Sequence, residues 1–459
     1  PTLIGPKSGG ISGVFHGPAW YYLNLPIFYL SHGNPAAVAW FWLVLNGASL
    51  VAYYFFAKRI FDPKIALLAT TLTAVHTIFW SKALGQQSPA LFLSFPFYYF
   101  VWKYLSDRKW WDLSIAVFLL GLLIQFQMAF GAPMALLFGT YLGARIIADK
   151  RYIHLLCFFF MLIPLSTFFL FDLRHDFLQT RAVLSYVTSS TSDSSFSLSQ
   201  YLSQRTYAIL DSFALLKVPI DWLQKLSGLL GLIAYIWATR IAQRDSKNTK
   251  RASTISLIMI AGVWLITIPF RGVIWGYYFE ALLPIIAVWW AYLVVKKGGL
   301  ISYGVFFFII ATNLSFAARD GLRYVQTNAV QNEVDWRFYR TLAQDVYEKS
   351  PEPFGYYVFT PDQFGYQAKY ALLYYGKQNE RITFPYQKKQ VTFLVIGPND
   401  HLNPFADENF WQREQVRILG EPESSWSYPS GYQVKMYRLS EQEQNVASDP
   451  NLINTLHFR

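Results

Sequence analysis

Ten long apolar stretches dominate the first 316 residues of the chain, and they constrain its fold more than any other feature. A helix needs about 20 apolar residues to cross the hydrocarbon core of a bilayer. The sequence therefore predicts an all-α polytopic membrane domain over 35–316, with about ten spans, some of them short. The runs are 35–57, 65–80, 89–105, 113–129, 132–147, 152–171, 222–239, 253–270, 277–295 and 299–316.

The composition agrees with a membrane protein. Charged residues make up 15% of the chain and hydrophobic residues 53%, whereas soluble globular domains carry about 25% charge. These figures exclude a disordered or collagen-like chain. A single cysteine, Cys157, also excludes an intramolecular disulfide. The chain has a net charge of +11, and its excess basic residues lie beside the apolar runs. We therefore interpret them as a signal for membrane orientation and predict no nucleic-acid partner.

Basic residues cluster on alternate loops between the runs. Because Lys and Arg concentrate on cytoplasmic loops, these loops predict one orientation in the plasma (cytoplasmic) membrane. A first loop at 1–34, the long loop 172–221 and everything from 317 onwards then lie on the extracytoplasmic side. The basic loops are 58–64, 103–112, 145–151, 240–251 and the pair Lys296 and Lys297.

Residues 317–459 predict a smaller, soluble α/β domain. An amphipathic pattern at 330–349 and the segment 364–375 indicate helices. The stretches 355–360 and 391–396 are typical of buried strands, and 431–438 alternates like a half-exposed one. In the long external loop, the Ser/Thr-rich stretch 188–199 is expected to be flexible.

Aromatic and charged residues adjoin the predicted external helix ends. In the first loop, FHGPAWYYL contains His16, Trp20, Tyr21 and Tyr22. By composition alone, the three aromatic residues are expected to form an interfacial belt at the level of the lipid headgroups. The stretch DLRHDFLQTR follows the sixth run directly. Its arginine and histidine could bind an anionic headgroup, or they could belong to an ion-paired helix terminus.

Two further external segments carry charge. Glu280 lies about one turn inside the ninth run, where a carboxylate is costly and is expected to be functional or paired. Arg271 is its nearest partner in sequence, so a structural pair is the alternative. Lys82 could meet a lipid phosphate or simply snorkel to the membrane surface. His76, inside the second run, is expected to be a satisfied core residue.

Nucleotide-binding, zinc-protease and serine-hydrolase motifs are missing from the sequence in any convincing context. We therefore predict no cofactor and no metal site. Catalysis would have to use carboxylates, Lys, Arg and Tyr on the outer face. Such a site suits a substrate that reaches the enzyme through the membrane on a lipid.

The stretch PTLIGPKSGGISGVFHGPAWYYL resembles the first external loop of the dolichyl-phosphate-mannose protein mannosyltransferase family (glycosyltransferase family 39) and its bacterial relatives. FDLRHDFL from Phe171 and YYFEALLP from Tyr277 also resemble bacterial members. This C-type superfamily of membrane glycosyltransferases implies inverting transfer of a sugar from a polyprenyl phosphate. The implied acceptor is a lipid, glycan or protein of the cell envelope, on the extracytoplasmic side.

The resemblance also implies residue roles. The family's catalytic acid follows a first helix that this chain lacks, so we expect the base upstream of Pro1 and eleven spans in all. Glu280 and Asp172 are weaker candidates for the base. A flippase of lipid-linked glycans and a membrane-anchored binding protein are the alternatives. The implied donor-phosphate ligands are Lys82, Arg271, Arg174 and His175, and the implied cavity residues are His16, Trp20, Tyr21, Tyr22 and Tyr278.

Overall fold

The structure is a computed structural model. The chain divides into two compact units, Pro1–Leu30 with Ala37–Ala317, and Ser31–Ala36 with Ala318–Arg459. The residues that it describes are 2–8, 11–80, 85–188, 197–268, 274–329, 334–350, 352–361, 364–398, 407–450 and 452.

Over their described residues, the ten predicted apolar runs lie mainly on helix, although the run 113–129 crosses the break at Gln127 between two helices. Two 3-10 helices, Tyr152–Met161 and Gly276–Leu282, lead directly into α7 and α12. In chain order the α-helices up to residue 329 are α1 (Ala19–Leu30), α2 (Pro35–Ile60), α3 (Pro63–Trp80), α4 (Ser88–Asp107), α5 (Trp110–Phe126), α6 (Met128–Ala148), α7 (Leu162–Arg174), α8 (Leu178–Thr188), α9 (Leu198–Phe213), α10 (Asp221–Asp245), α11 (Lys247–Thr267), α12 (Leu283–Lys297) and α13 (Gly299–Ala329).

Seven helical segments of the described chain are long and apolar enough to cross a membrane, and the predicted polytopic all-α domain is confirmed. The remaining runs form α3, α4 and α5. Most residues of α4 are buried against other helices and not against lipid. Its sequence can therefore be less apolar than that of the seven segments. The seven segments are Pro35–Ile60, Met128–Ala148, Tyr152–Arg174, Asp221–Asp245, Lys247–Thr267, Gly276–Lys297 and Gly299–Thr327.

The second unit contains a five-stranded sheet in the order β2-β1-β3-β5-β4. β1 pairs in parallel with β2 and β3, whereas β5 pairs antiparallel with β3 and β4. The predicted smaller α/β domain is thereby confirmed. The strands are β1 (Phe354–Phe359), β2 (Thr383–Pro385), β3 (Val391–Ile396), β4 (Ser424–Ser427) and β5 (Gln433–Arg438).

Helices cover both faces of this sheet. Side chains of α14 and α15 pack on one face with Phe354 and Phe393, and Trp411 packs on the other with Leu394. Because both faces are covered, β1 and β3 are buried along their whole length, as predicted. The helices are α14 (Trp336–Lys349), α15 (Tyr366–Gln378), α16 (Glu408–Phe410), which continues into a π-helix at Trp411–Val416, and α17 (Glu441–Asn445).

Three details differ from the sequence-based picture or go beyond it. The tenth run was expected to end at 316, but α13 continues to Ala329 because AARDGLRYVQTNA loses its apolar character without losing its helix formers. The edge strands β2 and β4 were not predicted, since three or four half-exposed residues leave little pattern. Most of the Ser/Thr-rich stretch, 189–196, lies outside the described residues.

Candidate functional site

A buried carboxylate lies just before α12. The 3-10 helix Gly276–Leu282 carries Glu280, whose Oε1 atom is buried and has no hydrogen-bond partner among the described residues. A buried acceptor without a partner costs free energy, so each such group in a folded protein calls for an explanation. Glu280 lines two cavities at once, which makes it the natural starting point for a binding site.

The first of these, the apolar cavity, has a volume of about 270 Å³ and lies between α2, α3 and α4. Its wall on α2 includes Trp40 and Leu43, which are 67% and 55% exposed. Because α2 is long and apolar enough to span a membrane, this wall faces lipid in a bilayer. The cavity is lined by Ala39, Trp40, Trp42, Leu43, Asn46, Thr77, Ser88, Leu91, Phe92 and Glu280.

The second cavity, the polar pocket, has a volume of about 80 Å³. The Nζ atom of Lys217 lies 3.9 Å from Oδ1 of Asp211. Burial lowers the pKa of Lys217, and the nearby charges of Asp211 and Glu280 oppose that shift. The pocket is lined by His76, Asp211, Ser212, Ala214, Lys217, Gly276, Tyr277, Phe279, Glu280 and Leu283.

His76 on α3 borders the polar pocket. Its Nε2 atom lies 3.5 Å from the backbone oxygen of Ala214. Its Nδ1 atom is buried without a hydrogen-bond partner among the described residues. The Nε2 contact agrees with the expectation of a satisfied core histidine, and the ring also lies near the backbone of Leu72, one turn earlier on α3.

The first loop is pinned to the end of α5. The amide of Gly17 donates to the backbone oxygen of Gln125 at 3.1 Å, one of the carbonyls that a helix end leaves unpaired. A Cβ atom at Gly17 would overlap the Gln125 side chain, so glycine is needed for this approach. Beside it, Nδ1 of His16 is buried without a partner among the described residues, and burial lowers the His16 pKa to about 4.

The aromatic residues of the first loop lie behind the apolar cavity. Trp20 stacks on Trp42, a cavity residue, with ring centroids 4.9 Å apart. Tyr21 is half-buried on α1, whereas Tyr22 is exposed and donates through its hydroxyl to Thr2 at 2.5 Å. Of these residues, Trp20 is tied to the cavity through direct contact with its wall.

The DLRHDFLQTR segment packs against the first loop. The carboxylate of Asp172 accepts from the Gln179 amide at 2.9 Å and from the Thr180 amide and hydroxyl at 3.1 and 2.6 Å. His175 stacks on Phe171 at 4.0 Å, and Arg174 is exposed. Asp172, Arg174 and His175 are not among the described residues that line either cavity.

The remaining site predictions are tested less directly. Lys82 and Arg271 lie outside the described residues, so their donor-phosphate roles stay predictions. Tyr278 is half-buried, and its ring contacts that of Tyr277, a residue of the polar pocket, at 4.8 Å. In the described chain, the cation that faces Glu280 is Lys217.

Sequence reasoning missed Lys217 and Asp211. The signal for Lys217 was available, because it is a lone cation in a loop just before an apolar run, as Lys82 is. Asp211 offered no comparable signal, since it lies in a polar helix of the long external loop. The contact between them depends on the turn between α9 and α10, which sequence spacing does not show.

Comparison with known proteins gives a family match over part of the chain and a fold match over most of it. Residues 15–171 match the family model for dolichyl-phosphate-mannose-protein mannosyltransferase. The fold resembles the crystal structure of ArnT from Cupriavidus metallidurans bound to undecaprenyl phosphate, with a TM-score of 0.53 and 13% identity over 95% of this chain and 94% of that one. The apo ArnT structure gives 0.51 and 11% over the same shares. No curated protein matches the chain.

Proposed function

We propose that this multi-pass membrane glycosyltransferase, whose residues 15–171 match the family model for dolichyl-phosphate-mannose-protein mannosyltransferase, takes its sugar from a polyprenyl phosphate. The proposed acceptor is a component of the cell envelope, reached on the extracytoplasmic side of the plasma membrane. On the orientation predicted by the basic loops, the C-terminal α/β unit lies on that side as well.

One observation carries the proposal: Glu280 belongs to both the apolar cavity and the polar pocket. A sugar on a polyprenyl phosphate has an apolar chain joined to a charged, hydroxyl-rich head. The lipid-facing wall with Trp40 and Leu43 suits the chain, and the ammonium of Lys217 suits a phosphate. The junction at Glu280 is where the bond between sugar and phosphate would lie.

The comparison with ArnT supports the class of lipid. That protein has been crystallised with undecaprenyl phosphate, and its fold extends over 95% of this chain. Undecaprenyl phosphate is therefore the first lipid to test. The sugar and the acceptor are not specified by the two cavities.

In the proposed reaction, an acceptor oxygen bonds to the anomeric carbon of the sugar as the bond from that carbon to the phosphate oxygen breaks. The electron pair of the broken bond stays with the polyprenyl phosphate, and Lys217 offsets the charge that develops there. The acceptor proton passes to a carboxylate. Between the two acids suggested by the sequence, Glu280 has an open oxygen, whereas Asp172 already accepts three hydrogen bonds.

The test is a transfer assay with the protein reconstituted in vesicles. Radiolabelled sugars are supplied on undecaprenyl phosphate or as nucleotide sugars, with cell-envelope extract as acceptor. Transfer that requires the lipid-linked donor supports the proposal. Equal transfer from nucleotide sugars, or movement of the lipid-linked sugar across the bilayer without transfer, would contradict it.

A matched pair of variants locates the activity. Lys217→Met removes the ammonium of the polar pocket and is expected to slow transfer by about tenfold to a hundredfold. Lys225→Met removes an exposed lysine of the same region, whose ammonium pairs with Asp221 at 2.6 Å, and is expected to leave transfer unchanged. Equal effects in the two variants would remove Lys217 from the site.

A further inference from the structure

Lys217 reaches the polar pocket from a segment without regular structure. α9 ends at Phe213 and α10 begins at Asp221, and residues 214–217 between them are largely buried, with Leu215 1% exposed. The backbone amides and carbonyls of a buried irregular segment have no helix or sheet partners, so side chains or water must satisfy them. The groups that bond to the backbone of residues 214–217 therefore determine where Lys217 is held.

Asn313 on α13 satisfies two of these backbone groups. Its Oδ1 accepts from the amide of Lys217 at 2.9 Å, and its Nδ2 donates to the carbonyl of Leu215 at 2.7 Å. The side chain is fully buried. An amide inside an apolar helix is costly unless it is hydrogen-bonded, and both halves of this one are used on the segment that carries Lys217.

Other contacts hold the rest of the segment, among them the 3.5 Å approach of Nε2 of His76 to the carbonyl of Ala214. The amide of Leu216 donates to the hydroxyl of Ser227 at 3.2 Å, and the amide of Ala214 donates to the carbonyl of Asp211 at 3.1 Å. None of these contacts touches the backbone of Lys217. Among the described residues, the hydrogen bond that the Lys217 amide donates to Asn313 therefore holds the backbone from which the ammonium extends.

We propose that Asn313 is a positioning residue that holds the Lys217 ammonium in the polar pocket, where it contacts the phosphate of the lipid donor. This role rests on the proposed function. Asn313 itself lines neither cavity among the described residues, so it acts on the phosphate only through Lys217. An Asn in the last apolar run thereby belongs to the binding machinery and does not serve helix packing alone.

The experiment is a double-mutant cycle on the binding of undecaprenyl phosphate, measured by native mass spectrometry on the full chain in detergent. Lys217→Met and Asn313→Leu are each expected to weaken binding by about tenfold. The double variant is expected to bind as weakly as Lys217→Met alone, because Asn313 acts through Lys217. Asn313→Asp keeps the acceptor for the Lys217 amide and is expected to lose less affinity than Asn313→Leu.

Ser256→Ala is the matched control. Ser256 is fully buried and shares a 2.7 Å hydrogen bond with the hydroxyl of Tyr235, but it lines neither cavity among the described residues. The Ser256→Ala variant is expected to bind undecaprenyl phosphate as the wild type does. The proposal is overturned if the Asn313→Leu variant binds undecaprenyl phosphate normally. It is also overturned if Asn313→Leu lowers the affinity by the same factor with and without Lys217, because that result indicates a general structural role.

A second readout separates this proposal from the function on which it rests. If the folded wild type does not bind undecaprenyl phosphate, the proposed donor is wrong, and the positioning role is decided by chemical labelling. The Lys217 amine is methylated reductively, and the rate of methylation is measured from the masses of the peptides. A rate that changes severalfold in Asn313→Leu or Asn313→Asp, but not in Ser256→Ala, supports positioning. Equal rates in all variants overturn it.

Discussion

The helix α12 has polar groups at both ends, and the two ends differ in how those groups are satisfied. At the carboxyl end, the ammonium of Lys296 lies 2.8 Å from Asp245, which also accepts from the hydroxyl of Tyr292 at 3.0 Å. At the amino end, Glu280 has a buried oxygen without a partner among the described residues, and Lys217 lies across a pocket. An ammonium and a carboxylate form a closed pair at one end, whereas at the other end Glu280 stays open and the ammonium of Lys217 lies 3.9 Å from Asp211.

The difference indicates which end binds a ligand. A closed ion pair uses the capacity of its own groups, so it contributes to stability and leaves nothing for a substrate. An open carboxylate beside a cavity costs stability in the absence of a ligand and persists where a ligand supplies the missing partners. On the predicted orientation, the open end is the extracytoplasmic one.

The first prediction concerns the side of each end and has an all-or-none outcome. In a Cys157→Ala background, Trp275→Cys and Lys297→Cys place thiols at exposed positions near the two ends of α12. A membrane-impermeant maleimide added to intact cells is expected to label position 275 and not position 297. Labelling of position 297 alone would invert the orientation and place the open end in the cytoplasm.

The second prediction separates activity from stability at the open end. Glu280→Gln keeps the shape of the side chain but cannot take up a proton, so transfer is expected to fall by about a hundredfold or more. The Tm is expected to stay the same or to rise, because a buried unpaired carboxylate is removed. A variant with normal transfer would show that Glu280 is structural. Thermal scans and transfer rates are measured on one preparation.

The third prediction concerns His16, another buried polar group at the predicted external end. Burial lowers its pKa from 6.5 to about 4, so the unfolded loop binds more protons between these values. Packing of the first loop is fully present above pH 6.5 and weakens as the pH falls towards 4, by at most about 3 kcal/mol.

Hydrogen exchange measures this effect. The amides of His16 and Gly17, which donate to Pro6 and Gln125, are expected to lose protection over that pH window once intrinsic exchange rates are corrected. His16→Gln is neutral at every pH and is expected to keep the same protection throughout. Loss of protection in both proteins would assign the effect to another group.

The fourth and smallest effect is expected at the closed end. Asp245→Asn weakens a half-exposed ion pair, which typically contributes about 1 kcal/mol or less. A small drop in Tm with unchanged transfer is therefore expected. Loss of transfer with little change in Tm would mean that the closed end also takes part in function.

Much of the fold could be predicted because a membrane imposes one strong rule. The apolar runs form helices because the backbone N–H and C=O groups of a chain in lipid have to bond to one another. The buried strands β1 and β3 were predicted from short runs of β-branched and aromatic residues. The end of α13 was not predicted. Hydropathy detects where the apolar character ends, whereas the helix continues beyond that point to Ala329.

The site was predictable only in part. Glu280 was identified because a carboxylate in an apolar run is rare on energetic grounds. Lys217, the cation on the other side of the polar pocket, lies 63 positions earlier, and its proximity to Glu280 depends on how α9, α10 and α13 pack. Asn313 gave no sign of its role, since one amide in an apolar run fits ordinary helix packing equally well.

The most direct test of the Glu280 site uses undecaprenyl phosphate with a photoactivatable group in its chain. After irradiation in vesicles, the cross-linked peptides are identified by mass spectrometry. Cross-links are expected on the cavity walls of α2 and α4, around Trp40 and Leu91, and excess unlabelled undecaprenyl phosphate is expected to abolish them. Cross-links confined to helices that line neither cavity, such as α7, would contradict the assignment of this end of α12 as the donor site.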